Sequence, residues 1–444
     1  MTITYDPFHP KYFDEQDLRE ELTRVYDLCH GCRLCFKFCQ AFPTLFEFID
    51  QHEDQDAAKL TPEQQDQVVD ECFNCKLCYV NCPYIPGQSE WELDFPRLML
   101  RAEQTLFKER KRGLRTTLTD TALASTDLAG KVGSALSSVV NRTIDTPGSK
   151  TRDLIETAVG ISSERILPPY AKQRFSSWFA TRETPTPYDK QGRAMLIPTS
   201  ITENTDTQVA KDTVKVYEHN GIQCDLPEGQ VCCGAPHLHQ GNVDKFRTLG
   251  EKNVKVLADA IRAAKADGDD DVKISVCQPT CGYVLKYDYK DYIGGPDAEL
   301  VAEHTTDVAE FLMAVHKSEN TELDTEFGGE VPDSTTYHAP CHLRAQNIGL
   351  KSRDLMKLTG TKITLVAECS GIDGTWGLRA ENVDMARGVA AKMAKAIDKA
   401  DSDVVAGDCS LANGGIELET GQTPQHPLSF MARAYGLSEE TDTP

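Results

Sequence analysis

The chain has 444 residues, enough for about three domains of ordinary size, and its hydrophobic content of 40% allows buried cores. Its formal net charge of −22 argues against nucleic-acid binding through neutralised phosphates. No apolar run is long enough to span a bilayer, and the polar, acidic N-terminus does not resemble a signal peptide, so we expect a cytoplasmic protein. In that compartment its 16 cysteines are expected to be metal ligands or redox groups.

Two cysteine runs organise the N-terminal part of the chain. Leucine and valine recur at helical spacing over residues 14–28, and this predicted helix leads into a C-x-x-C-x-x-C-x-x-x-C run. A second run with the same spacing follows. Such a run holds three cysteines around one iron–sulfur cube and directs the fourth to a second cube. The spacing predicts two [4Fe–4S] clusters, one on Cys29, Cys32, Cys35 and Cys82 and the other on Cys72, Cys75, Cys78 and Cys39. The alternatives are a zinc site or disulfides, but zinc ligands usually come as C-x-x-C pairs.

A long insertion separates the two runs, which indicates an all-helical two-cluster ferredoxin domain over residues 1–100. Residues 101–192 lack cysteine and are predicted to form a helical connector that ends in a linker over residues 181–192. A basic run at residues 108–115 is either a solvated helix face or a surface that touches anionic lipid or a partner protein.

Strands and helices alternate from residue 193 onward, which favours an α/β fold with parallel, doubly wound sheets. The pattern occurs twice, so we predict a first cysteine-rich repeat over residues 193–318 and a second, degenerate one over residues 332–436. The cysteine turns follow predicted strands, where ligands bind in such sheets. Aligning the repeats places Ser200 opposite Cys341 and Ser370 opposite Cys233, with Cys409 in the place of Cys277 and Cys281.

The motifs VCCGAP, YHAPCH and CSGIDGTWG, behind the paired ferredoxin runs, resemble the cysteine-rich iron–sulfur subunits related to heterodisulfide reductase. The resemblance to the iron–sulfur subunit of anaerobic glycerol-3-phosphate dehydrogenase extends over nearly the whole chain. The glycolate and lactate oxidase subunits are similar as well. The stretches WELDFPRLMLRA and YHAPCHLRAQNIG more closely resemble iron–sulfur oxidoreductases associated with rubrerythrin.

The resemblance implies five cysteines per repeat and a non-cubane cluster, so further metal ligands are expected among Cys232, Cys233, Cys277 and Cys281 in the first repeat and Cys341, Cys369 and Cys409 in the second. Ser200 replaces one cysteine, and the second repeat keeps only three. The open alternatives are a cubane with one unligated iron, ligation by His342, thiol–disulfide chemistry at Cys232 and Cys233, or cysteines that are simply packed in a core. We expect the lone Cys224 to be structural.

The motifs together predict an electron-transfer subunit that connects a flavoprotein dehydrogenase with a terminal acceptor, either a quinone or a redox protein. No flavin fingerprint, Walker motif or catalytic triad is present in the sequence. Two alternatives remain open: a disulfide or heterodisulfide reductase acting at the repeats, and an electron donor to a rubrerythrin-type peroxidase. Contact with the inner face of the cell membrane, if there is any, is expected to be peripheral.

Overall fold

A computed structural model describes residues 4–109, 113–184, 191–372 and 374–438. The N-terminal region up to residue 109 is helical and contains α1 Glu15–Cys32, α2 Ala41–Asp50, α3 Pro62–Asp70, α4 Leu77–Val80 and α5 Phe95–Glu109. Asp14 caps α1 by accepting a hydrogen bond from the Asp17 amide, and Leu18, Leu22 and Val25 bury one face of this helix. The predicted helix over residues 14–28 is therefore confirmed and runs one turn further, to the second cysteine of the first run.

The connector is also helical, with α6 Leu114–Ala124, α7 Thr126–Ala135, α8 Ser137–Ile144, α9 Lys150–Val159 and α10 Phe175–Thr181. Residues 110–112 of the predicted basic run and residues 185–190 of the predicted linker lie outside the described residues. The connector is folded onto the rest of the chain, because the buried Arg152 donates to the carbonyls of Ser162 and Arg165, and Arg165 donates to the carbonyl of Gly377.

The first α/β segment contains β1 Gly192–Ile197, α11 Ser200–Asn204, α12 Thr207–His219, β2 Ile222–Asp225, α13 Ala235–His239, α14 Val243–Ala266, β3 Lys273–Val276, α15 Pro279–Tyr283, α16 Tyr289–Tyr292, α17 Gly295–His304, β4 Thr305–Asp307 and α18 Val308–Lys317. The second contains β5 Ser334–His338, α19 Cys341–Ala345, α20 Lys351–Lys357, β6 Lys362–Val366, α21 Val383–Ala400, β7 Val404–Gly407, α22 Ser410–Thr420 and α23 Pro427–Ala434.

Each segment has its own parallel sheet, in the strand order β2-β1-β3-β4 and β6-β5-β7. The predicted α/β class is therefore confirmed, while the domain boundaries stay predictions. No helix in the described ranges is long and apolar enough to cross a membrane.

The two α/β segments pack against each other through helices. Helix α12 of the first segment packs on α23 of the second, and α18 of the first packs on α20 of the second. One hydrophobic core is shared between them and includes Leu196 and Val214 as well as Tyr337 and Leu428. The cysteine turns after the strands therefore face each other across this junction.

Two buried carboxyl groups meet inside the junction. Asp307 caps α18, and Asp408 accepts hydrogen bonds from the hydroxyl groups of Tyr337 and Ser352. Burial and the neighbouring Asp408 raise the pKa of Asp307 to about 7. Burial also raises the pKa of Asp408. Both groups therefore keep their protons in the folded state at pH values where they ionise in the unfolded chain.

The folded-state pKa values of both groups lie above the unfolded value. The two groups therefore lower the free energy of unfolding by an amount that is absent in acid and grows as the pH rises from about 4 toward 7. Asp307→Asn keeps the cap on α18 and removes one ionisable group. We expect this variant to gain roughly 1–3 kcal/mol of unfolding free energy at about pH 8 and much less at about pH 5. Thermal unfolding at the two pH values measures the difference. The matched control is Asp259→Asn, at an exposed carboxylate on α14; an equal gain at both pH values contradicts the prediction.

Candidate functional site

The first predicted ligand set is gathered around one small pocket. Cys29, Cys32, Cys35 and Cys82 line a space of about 20 Å³ together with Phe42 and Phe46. Burial raises the pKa of Cys29, and Cys35, Cys82 and Cys32 raise it further. The fourth cysteine of the second run thus lies among the first three of the first run, as the spacing predicts.

The second predicted set is gathered in the reciprocal way. Burial, followed by Cys75 and Cys72, raises the pKa of Cys78, and burial, followed by Cys72 and Cys75, raises the pKa of Cys39. Cys35 of the first set also raises the pKa of Cys78. The two sets are therefore neighbours, which we call group A (Cys29, Cys32, Cys35, Cys82) and group B (Cys39, Cys72, Cys75, Cys78).

The backbone of both runs folds in the same way. Arg33 and Lys76, which follow the second cysteine of each run, both have the left-handed conformation, with φ of 55° and 62°. Backbone amides turn toward the sulfurs, and the Tyr84 amide donates to Cys82 Sγ at 3.4 Å. Cys39 leads into α2, whereas Cys82 is followed by turns.

The chemistry of these donors fits iron–sulfur clusters. Buried thiols with raised pKa values hold their protons until a cationic centre displaces them, so cluster binding and proton release are coupled. Within the described ranges, no three His, Cys, Asp or Glu side chains are arranged to hold a single metal ion. Groups A and B each bring four cysteine thiols together, and four thiolates are the number that holds one iron–sulfur cluster.

The first repeat surrounds a cavity of about 180 Å³, which we call chamber 1. Five residues at the carboxyl ends of its strands line it: Ser200, Cys232, Cys233, Gln278 and Cys281. The sulfurs of Cys233 and Cys281 lie 3.2 Å apart. Chamber 1 is mostly apolar and also receives Cys409 from the second repeat.

The second repeat surrounds a cavity of about 60 Å³, chamber 2, which is larger than the pocket of group A. The corresponding five residues line it: Cys341, Cys369, Ser370, Cys409 and Ala412. The Gly371 amide donates to Cys369 Sγ at 3.3 Å, and the Gly234 amide donates to Cys232 Sγ at 3.5 Å in chamber 1. Cys409 lines both chambers.

The structure does not bring Cys277 to these thiols. Its side chain is buried in the shared core, 3.5 Å from the Thr213 hydroxyl. Gln278 and Cys409 both precede a helix, with φ/ψ of −112°/120° and −112°/110°. Cys409 therefore corresponds to Gln278, whereas the predicted alignment placed it with Cys277 and Cys281. Cys277 stands one residue before the position that faces chamber 1, so its side chain points away from the chamber. Cys224 also lies in the shared core.

His342 connects three parts of the chain. Its Nε2 lies 3.0 Å from the Asn74 carbonyl oxygen, which can only accept, so Nε2 carries the proton. Its Nδ1 then accepts from the Thr280 hydroxyl at 2.8 Å. Burial lowers the pKa of His342 to about 3, which keeps the ring neutral. Both ring nitrogens are occupied in this arrangement, which leaves no lone pair for the ligation of iron.

The loop of group B is docked against the chambers. Trp376 packs on Phe73 with ring centroids 4.5 Å apart and donates to the Asp70 carbonyl at 2.8 Å. Cys75 lies in the wall of chamber 2. The cysteines of the N-terminal region and those of the second repeat therefore share one wall.

The connector contributes residues that the sequence did not reveal. Leu123 and Thr126 line chamber 1, and the hydroxyl groups of Thr126 and Ser200 lie 2.8 Å apart. Asp127 accepts a hydrogen bond from the Cys232 amide at 2.9 Å. These are ordinary residues of an amphipathic stretch, and no local motif marks them.

Comparison with known proteins agrees with this arrangement. Residues 198–286 and 335–411 match the CCG family model, described as a cysteine-rich domain. Each match falls within one of the two α/β segments. It is 26% identical over 322 residues to one subunit of the anaerobic glycerol-3-phosphate dehydrogenase of Escherichia coli K12, a match that covers 72% of this chain and 78% of that protein.

Two further relatives match about half of the chain. One subunit of the fumarate reductase (CoM/CoB) of Methanothermobacter marburgensis is 30% identical over 44% of this chain and 36% of its own length. Lactate utilization protein A of Bacillus thuringiensis is 25% identical over 51% of this chain and 92% of its own length. The resemblance to this group of iron–sulfur proteins is confirmed. These relatives give no support to the association with rubrerythrin, which stays a prediction.

Gly371 offers a direct test of chamber 2. Its φ is +68°, and a Cβ at this position would overlap the carbonyl oxygen of Ala386. We expect Gly371→Ala to lose roughly 2–4 kcal/mol of unfolding free energy and to displace the Cys369 turn. Gly388→Ala is the control, because a Cβ there meets no atom within 4 Å. Thermal unfolding of the metal-free protein measures both, and equal midpoints contradict the prediction.

Proposed function

We propose that the protein is an iron–sulfur electron-transfer subunit that passes electrons between a flavoprotein dehydrogenase and a terminal acceptor. The observation that carries the proposal is the docking of the group B loop on chamber 2, through Asn74 and His342, Phe73 and Trp376. When bound, [4Fe–4S] clusters supply one-electron carriers. The two clusters of groups A and B, and a further cluster in the repeats, are part of this proposal.

The cysteine groups form a series of adjacent sites. Cys35 of group A interacts with Cys78 of group B. Cys75 of group B lies in the wall of chamber 2, and Cys409 lies in the walls of both chambers. This order, from group A through group B and chamber 2 to chamber 1, supports a continuous electron path along an all-helical ferredoxin domain and two cysteine-rich repeats.

Group A is the end nearest to solvent. Leu34 and Phe36 flank Cys35, and their side chains are 60% and 57% exposed. Exposed apolar side chains beside a redox site are suited to a partner protein. The dehydrogenase is proposed to bind here, in agreement with relatives that are named as subunits of a dehydrogenase and a reductase.

The connector presents a second apolar surface. Its exposed side chains are Leu114, Leu118, Leu128, Val132, Leu136, Val139 and Leu154. Leu114, Leu118, Leu128 and Val132 lie on α6 and α7, the helices that also line chamber 1 through Leu123 and Thr126. We propose that the acceptor, a quinone or a redox protein, approaches on this side, with peripheral membrane contact if it is a quinone.

Trp376→Ala tests the electron path. The variant loses the ring contact with Phe73 and the hydrogen bond to Asp70, so the group B loop is held less firmly on chamber 2, with the Asn74–His342 hydrogen bond remaining. After anaerobic mixing with dithionite, freeze-quenched EPR should show the N-terminal signals reduced as fast as in the parent and the repeat signals delayed severalfold.

Trp91→Ala is the matched control, because Trp91 is a half-exposed tryptophan of the N-terminal region. This variant should leave the reduction rates of the N-terminal signals and of the repeat signals unchanged. If the repeat signals of Trp376→Ala are reduced as fast as in the parent, the proposed path is contradicted. A reconstituted protein that stays colourless contradicts the proposed function itself.

A second function is supported by the thiol pair of chamber 1. With sulfurs 3.2 Å apart, Cys233 and Cys281 can reduce a substrate disulfide. The Cys233 thiolate attacks one sulfur and releases a thiol. The Cys281 thiolate then attacks Cys233 and releases the second thiol, leaving a Cys233–Cys281 disulfide. Two electrons from the N-terminal groups and two protons restore the dithiol.

Serine substitutions distinguish the two thiols of the C-x-x-x-C pair. The pre-reduced parent should release both thiols of a model disulfide, whereas Cys281→Ser should release only the first and keep the mixed disulfide on Cys233, so that complete disulfide reduction is lost. Cys277→Ser should retain it, because Cys277 lies in the core and its replacement keeps the Thr213 contact. Equal thiol release by both variants rules this second function out.

A further inference from the structure

His338 lies in the wall of chamber 2 and has one unused ring nitrogen. Its Nε2 lies 3.0 Å from the Glu368 carbonyl oxygen, which only accepts, so Nε2 carries the proton and Nδ1 keeps its lone pair. That Nδ1 is buried and has no hydrogen-bond partner among the described residues. A buried nitrogen left without a partner costs free energy unless a ligand occupies it. We propose that His338 Nδ1 is the fourth protein ligand of an iron–sulfur cluster held by Cys341, Cys369 and Cys409.

The sheet delivers the four donors to one place. His338 is the last residue of β5 and pairs with Val366 of β6 and Gly407 of β7. Cys341 follows β5, Cys369 follows β6 and Cys409 follows β7, and all three line chamber 2 together with His338. Parallel strands place their carboxyl ends at one edge, so one donor set forms from all three strands.

The hydrogen bond of His338 has the form expected behind a metal ligand. A ligating histidine usually donates its other ring N–H to a carbonyl or carboxylate, which fixes the tautomer and orients the ring. Here the acceptor is the carbonyl of Glu368, the residue directly before Cys369. The imidazole and the Cys369 thiol are therefore positioned by the same turn.

The other residues around the chamber are weaker candidates. Ala412 has no donor atom, and the Ser370 hydroxyl is a poorer iron ligand than an imidazole. His342 uses both ring nitrogens, toward Asn74 and Thr280. Cys75 belongs to group B and Glu368 is exposed, which leaves His338 as the buried donor in the wall beside the three cysteines.

The ligand set has a consequence for the reduction potential. A neutral imidazole in place of a thiolate leaves the cluster less negative, and histidine ligation raises the potential of iron–sulfur centres. Chamber 2 therefore holds a higher-potential site than groups A and B, and electrons that enter at group A collect there. This inference rests on the proposed function, since it requires a cluster in chamber 2.

The experiment uses the full-length protein, reconstituted anaerobically and labelled with 15N-histidine. Pulsed EPR of the reduced protein should show a strongly coupled histidine nitrogen, because groups A and B contain no histidine. His338→Ala should remove this coupling. His338→Cys should also remove it and lower the potential of one EPR signal. His342→Gln, at the neighbouring histidine, should keep the coupling.

The outcomes separate this inference from the proposed function. A full iron content of about twelve per chain with no histidine coupling overturns the ligand assignment and leaves electron transfer standing. About eight irons per chain in the parent protein removes the chamber 2 cluster, and with it the inference, but leaves groups A and B. Coupling that persists in His338→Ala and vanishes in His342→Gln assigns the ligand to His342 instead and overturns the inference.

Discussion

One neutral imidazole connects the three functional parts of this protein. His342 donates to the Asn74 carbonyl in the group B loop and accepts from Thr280 in the first repeat, while it belongs to the second repeat itself. A single tautomer satisfies both hydrogen bonds, because Nε2 carries the proton and Nδ1 has the lone pair. Burial holds the ring neutral, and the aromatic ring of Tyr283 lies beside it at 5.6 Å. Together with the packing of Trp376 on Phe73, this contact holds the group B loop beside the chambers.

Features encoded by local spacing could be predicted from the sequence. The two cysteine runs, the helix before Cys29 and the strands that precede Cys341 and Cys369 all depend on residues close together in the chain. The partition of the cysteines into groups A and B also follows, because the run itself directs its fourth cysteine to the neighbouring site. Their role as cluster ligands stays a prediction, with the donor chemistry in its favour.

Features set by distant contacts could not be predicted. Whether Cys277 or Gln278 faces chamber 1 depends on where β3 ends, and a shift of one residue reverses the direction of the side chain. The cover that α6 and α7 form over chamber 1 depends on contacts such as Thr126 with Ser200, which lie 74 residues apart. The unused nitrogen of His338 appears only once Glu368 is placed beside it.

The cysteines of the two chambers occupy different positions, apart from the second position, which both keep. Of five equivalent positions, the first repeat keeps cysteine at the second, third and fifth, and the second repeat keeps it at the first, second and fourth. Neither repeat can therefore replace the other. A protein made of two identical repeats would have either two wide chambers with a thiol pair or two narrow chambers without one. The asymmetry gives the duplicated fold a polarity that a symmetric dimer of one half lacks.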